Sequence, residues 1–481
     1  MLVLCSLSLL VLAACGSSSD AEPDPTVAPT SQPALNAPTE TPNATPSPVA
    51  TPAGAVASPV ASGIDQETLY EKGVNELGVI PVIMYHAFVS AQTDDLWTRN
   101  LDDFRGDLQY LYDNNYYVIS VRDLIDNTID VPLGKHPVVL TYDDASARQF
   151  QFMMNDQGEL VPTPDSAVGV LEAFFAEHPD FGKGSHFGIV GNNCFGWPDE
   201  VVEYNSGDEY CQLKLQWLSD HGYEVGNHTW THENLNLQDD AGVAEQVGKN
   251  AAFIDERVQG PGNESRILTL PFGERPAPGT QGEAYLYNGF RYDGNDYLIE
   301  AIMNVAGGPM YSPSSTWFDA HEITRFNSDS GSHDIWFGAF ERGEIPLYTS
   351  DGDPNTVTIP DPLPEYLQNE LDPAFIAAQG KTLITYDVPE SDQASPGSNT
   401  SSMTSIPELS VGLVVYTNDD YVRMRAEATT SGEVIEELRT GTELTIMDGP
   451  VTADGYEWWQ VTTASGATGW VVDTFLSLAP G

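Results

Sequence analysis

Two folds are predicted for this chain: an α/β domain built on a parallel sheet closing toward a barrel, then a small all-β barrel. Three observations predict them. Between about residues 80 and 270, short apolar runs alternate with stretches whose apolar residues recur at three- and four-residue spacing, the pattern of strands joined by helices. The residues best suited to chemistry, Asp143, Asp144, His228 and His232, stand where apolar runs end, and active groups at C-terminal strand ends suit a barrel. Beyond residue 411 the runs are short and punctuated by Gly432, Gly441, Gly455, Gly466 and Gly469, which reads as a small β-barrel.

Taken in order, residues 1–15 are an apolar run ending Ala13-Ala14-Cys15, too short to span a bilayer and readable as a secretory signal. Small residues before a cysteine resemble the bacterial lipobox, which implies cleavage before Cys15 and a lipid anchor on its sulfur. No Lys or Arg precedes Lys72, so the usual basic n-region is missing and the true start is expected upstream. Residues 16–63 are rich in Pro, Thr, Ala and Ser; they cannot bury enough apolar surface to fold and are expected to form an extended tether.

The folded part, 64–387, opens with the apolar run Ile80-Pro81-Val82-Ile83-Met84-Tyr85-His86. Leu101, Phe104, Leu108, Leu111 and Tyr112 follow at helical spacing. A strand over 117–121 and a helix over 122–126 come next, then the strand ending Thr141-Tyr142-Asp143-Asp144. Further strand and helix candidates alternate at 168–175, 186–190, 213–221 and 267–270. The run Glu224-Val225-Gly226-Asn227 leads into His228-Thr229-Trp230-Thr231-His232, whose imidazoles would share one face if that loop coiled into a helical turn. Two His and one carboxylate make a three-ligand, zinc-type set that leaves room for water, as a hydrolase requires.

Thr141-Tyr142-Asp143-Asp144 and His228-Thr229-Trp230-Thr231-His232, in that order and each after a strand, resemble the first two motifs of the polysaccharide deacetylase (carbohydrate esterase) family. The opening strand ending Tyr85-His86 resembles that family too. The resemblance implies a distorted, incomplete (β/α) barrel, a divalent metal, most simply zinc, held by Asp144, His228 and His232, and Asp143 as general base. Leu270-Pro271-Phe272-Gly273 resembles the third motif, which implies that Phe272 lends its backbone N–H to an oxyanion hole. The family's Arg is absent there, its position being held by Thr269; Arg325 or Arg266 would have to orient Asp143 instead. The His that protonates the leaving amine has no clear match, which leaves His86, His321 and His333 as candidates.

Of four cysteines, Cys194 and Cys211 lie in the folded part, and outside a membrane a disulfide between them is expected. The Asp-rich stretch 348–354 lacks the spacing of a calcium loop and reads as a turn. Residues 388–410 form a second Ser/Pro/Thr/Gly-rich linker. In 411–481 the order Val422-Arg423-Met424-Arg425, Val434-Ile435, Gly441-Thr442, Trp458-Trp459, Gly469-Trp470-Val471 resembles the bacterial SH3-like domain, which implies binding of cell-wall peptide or glycan. The three tryptophans are either groove or core.

With 19 basic and 71 acidic residues the net charge is −52, and the absence of a general basic footprint disfavours nucleic acid or an anionic membrane surface as partner. The expected protein is therefore an extracytoplasmic, lipid-anchored, metal-dependent hydrolase of carbon–nitrogen bonds other than peptide bonds. It would remove N-acetyl groups from a wall or extracellular polysaccharide, such as peptidoglycan. Two alternatives stand beside it: an O-acetyl esterase on the same scaffold, and a catalytically impaired glycan-binding protein.

Overall fold

Strands form here because β-branched and aromatic residues alternate between two apolar environments. In the third barrel strand, Val138, Leu140 and Tyr142 pack outward with helix residues Phe104, Leu108 and Leu171, while Val139 packs inward with Val82, Ile267, Met303 and Ile323 from four other strands. The computed structural model describes residues 63–93, 96–196, 205, 207–364, 367–389 and 409–477, the last apart from 410, 412, 418–421, 431, 433, 440–441, 454–455 and 464–465. The expected signal, its Cys15 and the tether through residue 62 lie outside the described residues, as does most of the second linker.

Eight parallel strands make the main sheet: Val82–Tyr85, Tyr116–Ile119, His136–Tyr142, His186–Ile189, Glu224–Asn227, Asn263–Thr269, Ala301–Gly307 and Ile323–Asn327. Seven close into a ring, because the first strand pairs with both the eighth (Ile83 opposite Phe326) and the third (Val82 opposite Val139). The second strand lies beside the third only from His136 to Val139; at Thr141 and Tyr142 the fourth strand takes its place. That splice is the distortion of the barrel.

Helices follow where capping residues precede apolar spacing. Asn100 accepts from the N–H groups of Asp102 and Asp103 to start the helix Leu101–Asp113, and Ser120 with Asp123 forms a capping box for Val121–Ile125. Ser166 caps Ala167–Glu177 and Asp239 caps Asp240–Arg257. Cys194 and Cys211 are bonded, with Cα atoms 5.7 Å apart, and so pin the segment after the fourth strand to the helix Asp208–Asp220. After the barrel, Thr356–Asp361 and Thr382–Asp387 pair in parallel. The Asp-rich stretch just before the first of them is a turn whose Asp351 is fully buried and accepts from the Thr356 and Thr358 hydroxyls, both at 2.6 Å.

The C-terminal part is a seven-stranded sheet of antiparallel pairs, in the order Val434–Leu438, Val422–Arg425, Thr468–Val472, Tyr456–Thr463, Glu443–Ala453, Val414–Thr417, Leu476–Ser477. Trp459 lies in its core with Val415, Met424 and Val461, and Trp458 is buried with its indole N–H donating to the Ala453 carbonyl at 2.9 Å. Those two tryptophans are therefore core rather than groove, and Trp470 is half-buried. Among the described residues no helix is long and apolar enough to cross a membrane.

Candidate metal and active centre

All but one of the groups at the candidate centre hang from the C-terminal end of a barrel strand or the loop just beyond it. Asp143 and Asp144 follow the third strand, His228 and His232 the fifth, Phe272 the sixth, His86 the first, and Arg325 comes from within the eighth. The backbone there is unusual. Asp144, Thr229, His232 and Phe272 have φ of 76°, 64°, 56° and 58°, a left-handed region costly for residues with a Cβ. Four such residues around one cleft are held by what surrounds them.

That holding is traceable for the imidazole loop. The segment does not coil into a helical turn but is an open loop, because buried polar side chains claim its backbone. Asn227 Oδ1 accepts from the Thr229 N–H at 3.0 Å and from Asn250 Nδ2 at 2.8 Å. The Thr229 hydroxyl accepts from the His232 N–H at 3.1 Å, and Gln246 Oε1 accepts from the Thr231 N–H at 3.0 Å. The two rings still meet, with centroids 4.7 Å apart at 70°.

Asp144 Oδ1 lies 3.4 Å from His228 Nε2 and 3.3 Å from His232 Nε2, so three potential ligand atoms converge on one point. Both Asp144 Oδ1 and His228 Nε2 are buried without a hydrogen-bond partner. Buried polar atoms left open toward a common point fit a cation. His228 Nδ1 lies 3.0 Å from the Thr269 carbonyl, so its N–H donates there and frees Nε2, as a metal-binding histidine requires. Burial, then the neighbouring His228, pushes His232 down to about 4, which keeps it neutral and available as a ligand. The donor set therefore fits a divalent metal.

Asp143 beside it is differently employed. Arg325 Nη1 donates to its Oδ1 at 2.9 Å and Nη2 to its Oδ2 at 2.8 Å, a bidentate pair with both side chains buried. Arg325 is itself fixed by the Asn304 carbonyl at 2.6 Å and the Thr141 hydroxyl at 3.0 Å. Burial alone would raise the Asp143 carboxyl, but the Arg325 guanidinium foremost holds it well below the usual carboxylate range. Gln149 Nε2 donates to the Asp143 carbonyl and, at 2.8 Å, to that of His86.

Of the two arginines proposed to replace the one missing at Thr269, Arg325 reaches Asp143; Arg266 donates to Asp255 at 3.0 Å and stacks over Tyr297, away from the cleft. Of the three candidate proton donors, only His86 enters the cleft. Its Nε2 is 3.8 Å from Asp143 Oδ2, the edge of Trp97 meets its ring at 4.7 Å, and burial lowers its pKa against the pull of Asp144 and Asp143. His321 Nε2 is taken by the Ile299 carbonyl at 3.1 Å, and His333 Nδ1 faces Asp107 at 3.5 Å between two outer helices. Neither is placed to act on a substrate. The Phe272 ring meets His232 edge-on with centroids 4.7 Å apart and is 52% exposed, so it offers the cleft an apolar face.

Sequence reasoning missed Thr141, Asn250 and Gln246, whose roles rest on contacts across the fold. It also missed Gly188, where a Cβ would lie 3.3 Å from Thr269 Oγ1 and 3.5 Å from Asp143 Oδ1. A glycine on a strand facing a carboxylate is the signal that could have found the last.

Two stretches of the chain match known families. Residues 199–284 match the polysaccharide deacetylase family and residues 420–477 the bacterial SH3 domain. The chain thus carries, within its barrel, a stretch that matches the polysaccharide deacetylase family and, near its C-terminal end, one that matches the bacterial SH3 domain. Comparison by sequence with curated proteins returns no match. Among solved structures, a Streptococcus pyogenes deacetylase, PplD, in complex with acetate shares 16% identity over 52% of this chain and 92% of its own, with a TM-score of 0.37. IcaB from Ammonifex degensii shares 15% over 54% of this chain and 94% of its own, with a TM-score of 0.35. A polysaccharide deacetylase from Bacillus cereus, BC0361, shares 15% over 54% of this chain and 68% of its own, with a TM-score of 0.37.

Proposed function

We propose that the chain is a metal-dependent deacetylase that removes N-acetyl groups from an extracytoplasmic or wall polysaccharide. One observation supports it above the rest: Asp143, locked by Arg325, stands next to the open donor set Asp144, His228 and His232. Adjacent carboxylates thereby acquire separate duties. Asp144 is free of Arg325 and faces the imidazoles, while Asp143 is oriented and kept ionised to accept a proton from water.

A divalent cation held by Asp144, His228 and His232, most simply zinc, would polarise the attacking water and the acetyl carbonyl. Asp143 takes the proton of that water. The Phe272 N–H, presented by its left-handed backbone, supports the oxygen that gains charge. His86, beside Asp143, is placed to relay to the departing amine the proton that Asp143 takes from water, without which a C–N bond breaks poorly. This third imidazole weakens the case for the esterase and impaired-binder readings, which were motivated by a missing donor.

The bacterial SH3 domain supports attachment to wall polymer. The apolar start, Cys15 and the polar tether support export and lipid anchoring. The test is acetate release from N- and O-acetylated glycans together with bound-metal stoichiometry. Chelation is expected to abolish release and lower Tm, because a ligand bound only by the fold stabilises it. Asp143→Asn is expected to keep the metal and lose turnover. One equivalent of metal with no acetate from any glycan rejects the proposal, and release from O-acetyl substrates alone moves it to the esterase.

A further inference from the structure

The bacterial SH3 domain does more than follow the barrel in sequence. Asn236, four residues beyond His232 in the 3-10 turn Leu235–Leu237, donates through Nδ2 to Glu274 Oε2 at 3.2 Å and to the Tyr456 hydroxyl at 3.3 Å. Glu274 is two residues past Phe272, and Tyr456 opens the SH3 strand Tyr456–Thr463. One amide thus ties together the loop that carries a metal-site imidazole, the loop that carries the oxyanion motif, and the SH3 domain.

We infer that Tyr456 seats the SH3 domain on the rim of the cleft, so that barrel and SH3 domain together form one groove for a long, uncharged, acetylated glycan. The choice of glycan rests on the deacetylase reading above. Two observations favour such an occupant. The same rim leaves Leu237 and Phe272 uncovered, 81% and 52% exposed, and an open aromatic face suits the apolar face of a sugar ring. The charges whose fields reach the Tyr456 hydroxyl include Glu274, Arg275 and Glu283, a net acidic set on a chain of net charge −52, which disfavours an anionic polymer. Tyr456 is a positioning residue: it acts through Asn236 and touches no reacting atom.

The consequence is a dependence on chain length. Full-length wild type and Tyr456→Phe, which deletes only the hydroxyl, are compared for binding to N-acetylglucosamine oligomers of two and six units. The six-unit Kd is expected to rise roughly threefold to tenfold in the variant, the worth of one hydrogen bond, while the two-unit Kd stays put. Seating is read separately by joining Leu237→Cys and Glu457→Cys, exposed neighbours of Asn236 and Tyr456 that leave their hydrogen bond in place, with a short bis-maleimide in the full chain. Failure to join overturns the seating. Equal six-unit affinities, or a wild type that binds neither oligomer, overturn the groove. If the join forms and length-dependent binding holds while wild type releases no acetate, the groove stands and the deacetylase reading falls.

Discussion

A guanidinium arriving from the eighth strand decides what Asp143 can do. Arg325→Lys keeps a positive charge but loses the fork, so Asp143 can rotate and its carboxyl rises toward the ordinary range. Turnover is expected to fall about a hundredfold, the cost of losing near-attack alignment, and the acid limb of the pH–rate profile to move to higher pH. Arg325→Met goes further and leaves a buried, unpaired carboxylate, which costs about 3–5 kcal/mol and appears as a lower Tm. An unshifted acid limb in Arg325→Lys would mean that Asp143 is not the base. At this scale the sequence reveals whatever is local. Asp143 with Asp144 and His228 with His232 are legible because each pair lies within five residues. Arg325 is legible only as one of two alternatives, since 182 residues separate it from Asp143. His86 is visible as a residue, but its approach to Asp143 depends on how the first strand pairs with the third, and that is not written in either segment.

Among the elements, the barrel's own lumen sets limits that a motif cannot show. A Cβ on Gly226 in the fifth strand would lie 2.0 Å from His186 Nε2 in the fourth, and that ring is fixed by Nδ1 to Glu224 at 3.1 Å. Gly226→Ala is therefore expected to cost about 1–3 kcal/mol by overpacking, with a lower Tm and impaired folding. A Tm equal to wild type would show that the ring moves freely. The disulfide is a second constraint. Replacing Cys194 and Cys211 together by Ala should remove about 3 kcal/mol on a loop-entropy estimate for a separation of 17 residues, read as lower Tm and faster proteolysis near residue 205. Strands and helices were legible because their periods of two and 3.6 are local. Ring closure through the first and third strands, and the splice between the second and fourth, depend on twist and register across the sheet, which no single segment encodes. The open form of 228–232, rather than a helical turn, was not legible for a related reason: Asn250, from the helix that follows, fixes Asn227, whose side chain holds the Thr229 N–H.

At the scale of the molecule, charge dominates. Burial, then the charge of Asp351, pushes the Glu76 carboxyl up to about 8, although Thr358, Asp351 and Tyr348 donate to it. A carboxyl so raised keeps its proton in the fold while the unfolded chain loses it near 4.5. Between those limits the folded chain binds more protons, so this group's contribution falls as pH rises and is fully present only below the unfolded value. Glu76→Gln cannot ionise, so its stability relative to wild type is expected to rise from pH 5 to 8, by on the order of a few kcal/mol, read as a Tm difference that shifts in the variant's favour. A constant Tm difference across that range would show that Glu76 ionises normally. The surface adds a wider effect. Most described cations, among them Arg99, Arg122, Arg257 and Arg325, already face carboxylates, yet 71 acidic residues outnumber 19 basic ones, so the excess can only repel itself. Salt shortens the reach of that repulsion from about 30 Å at 0.01 M to about 3 Å at 1 M. Because the folded chain holds its charges closer together than the unfolded one, screening favours the fold, and Tm is expected to climb with NaCl and level off once the Debye length falls below the spacing of surface carboxylates. Sucrose, which excludes itself from protein surface without screening charge, separates this effect from general stabilisation. A Tm that ignores NaCl but rises in sucrose would mean that the acidity is carried by segments that do not press on the fold.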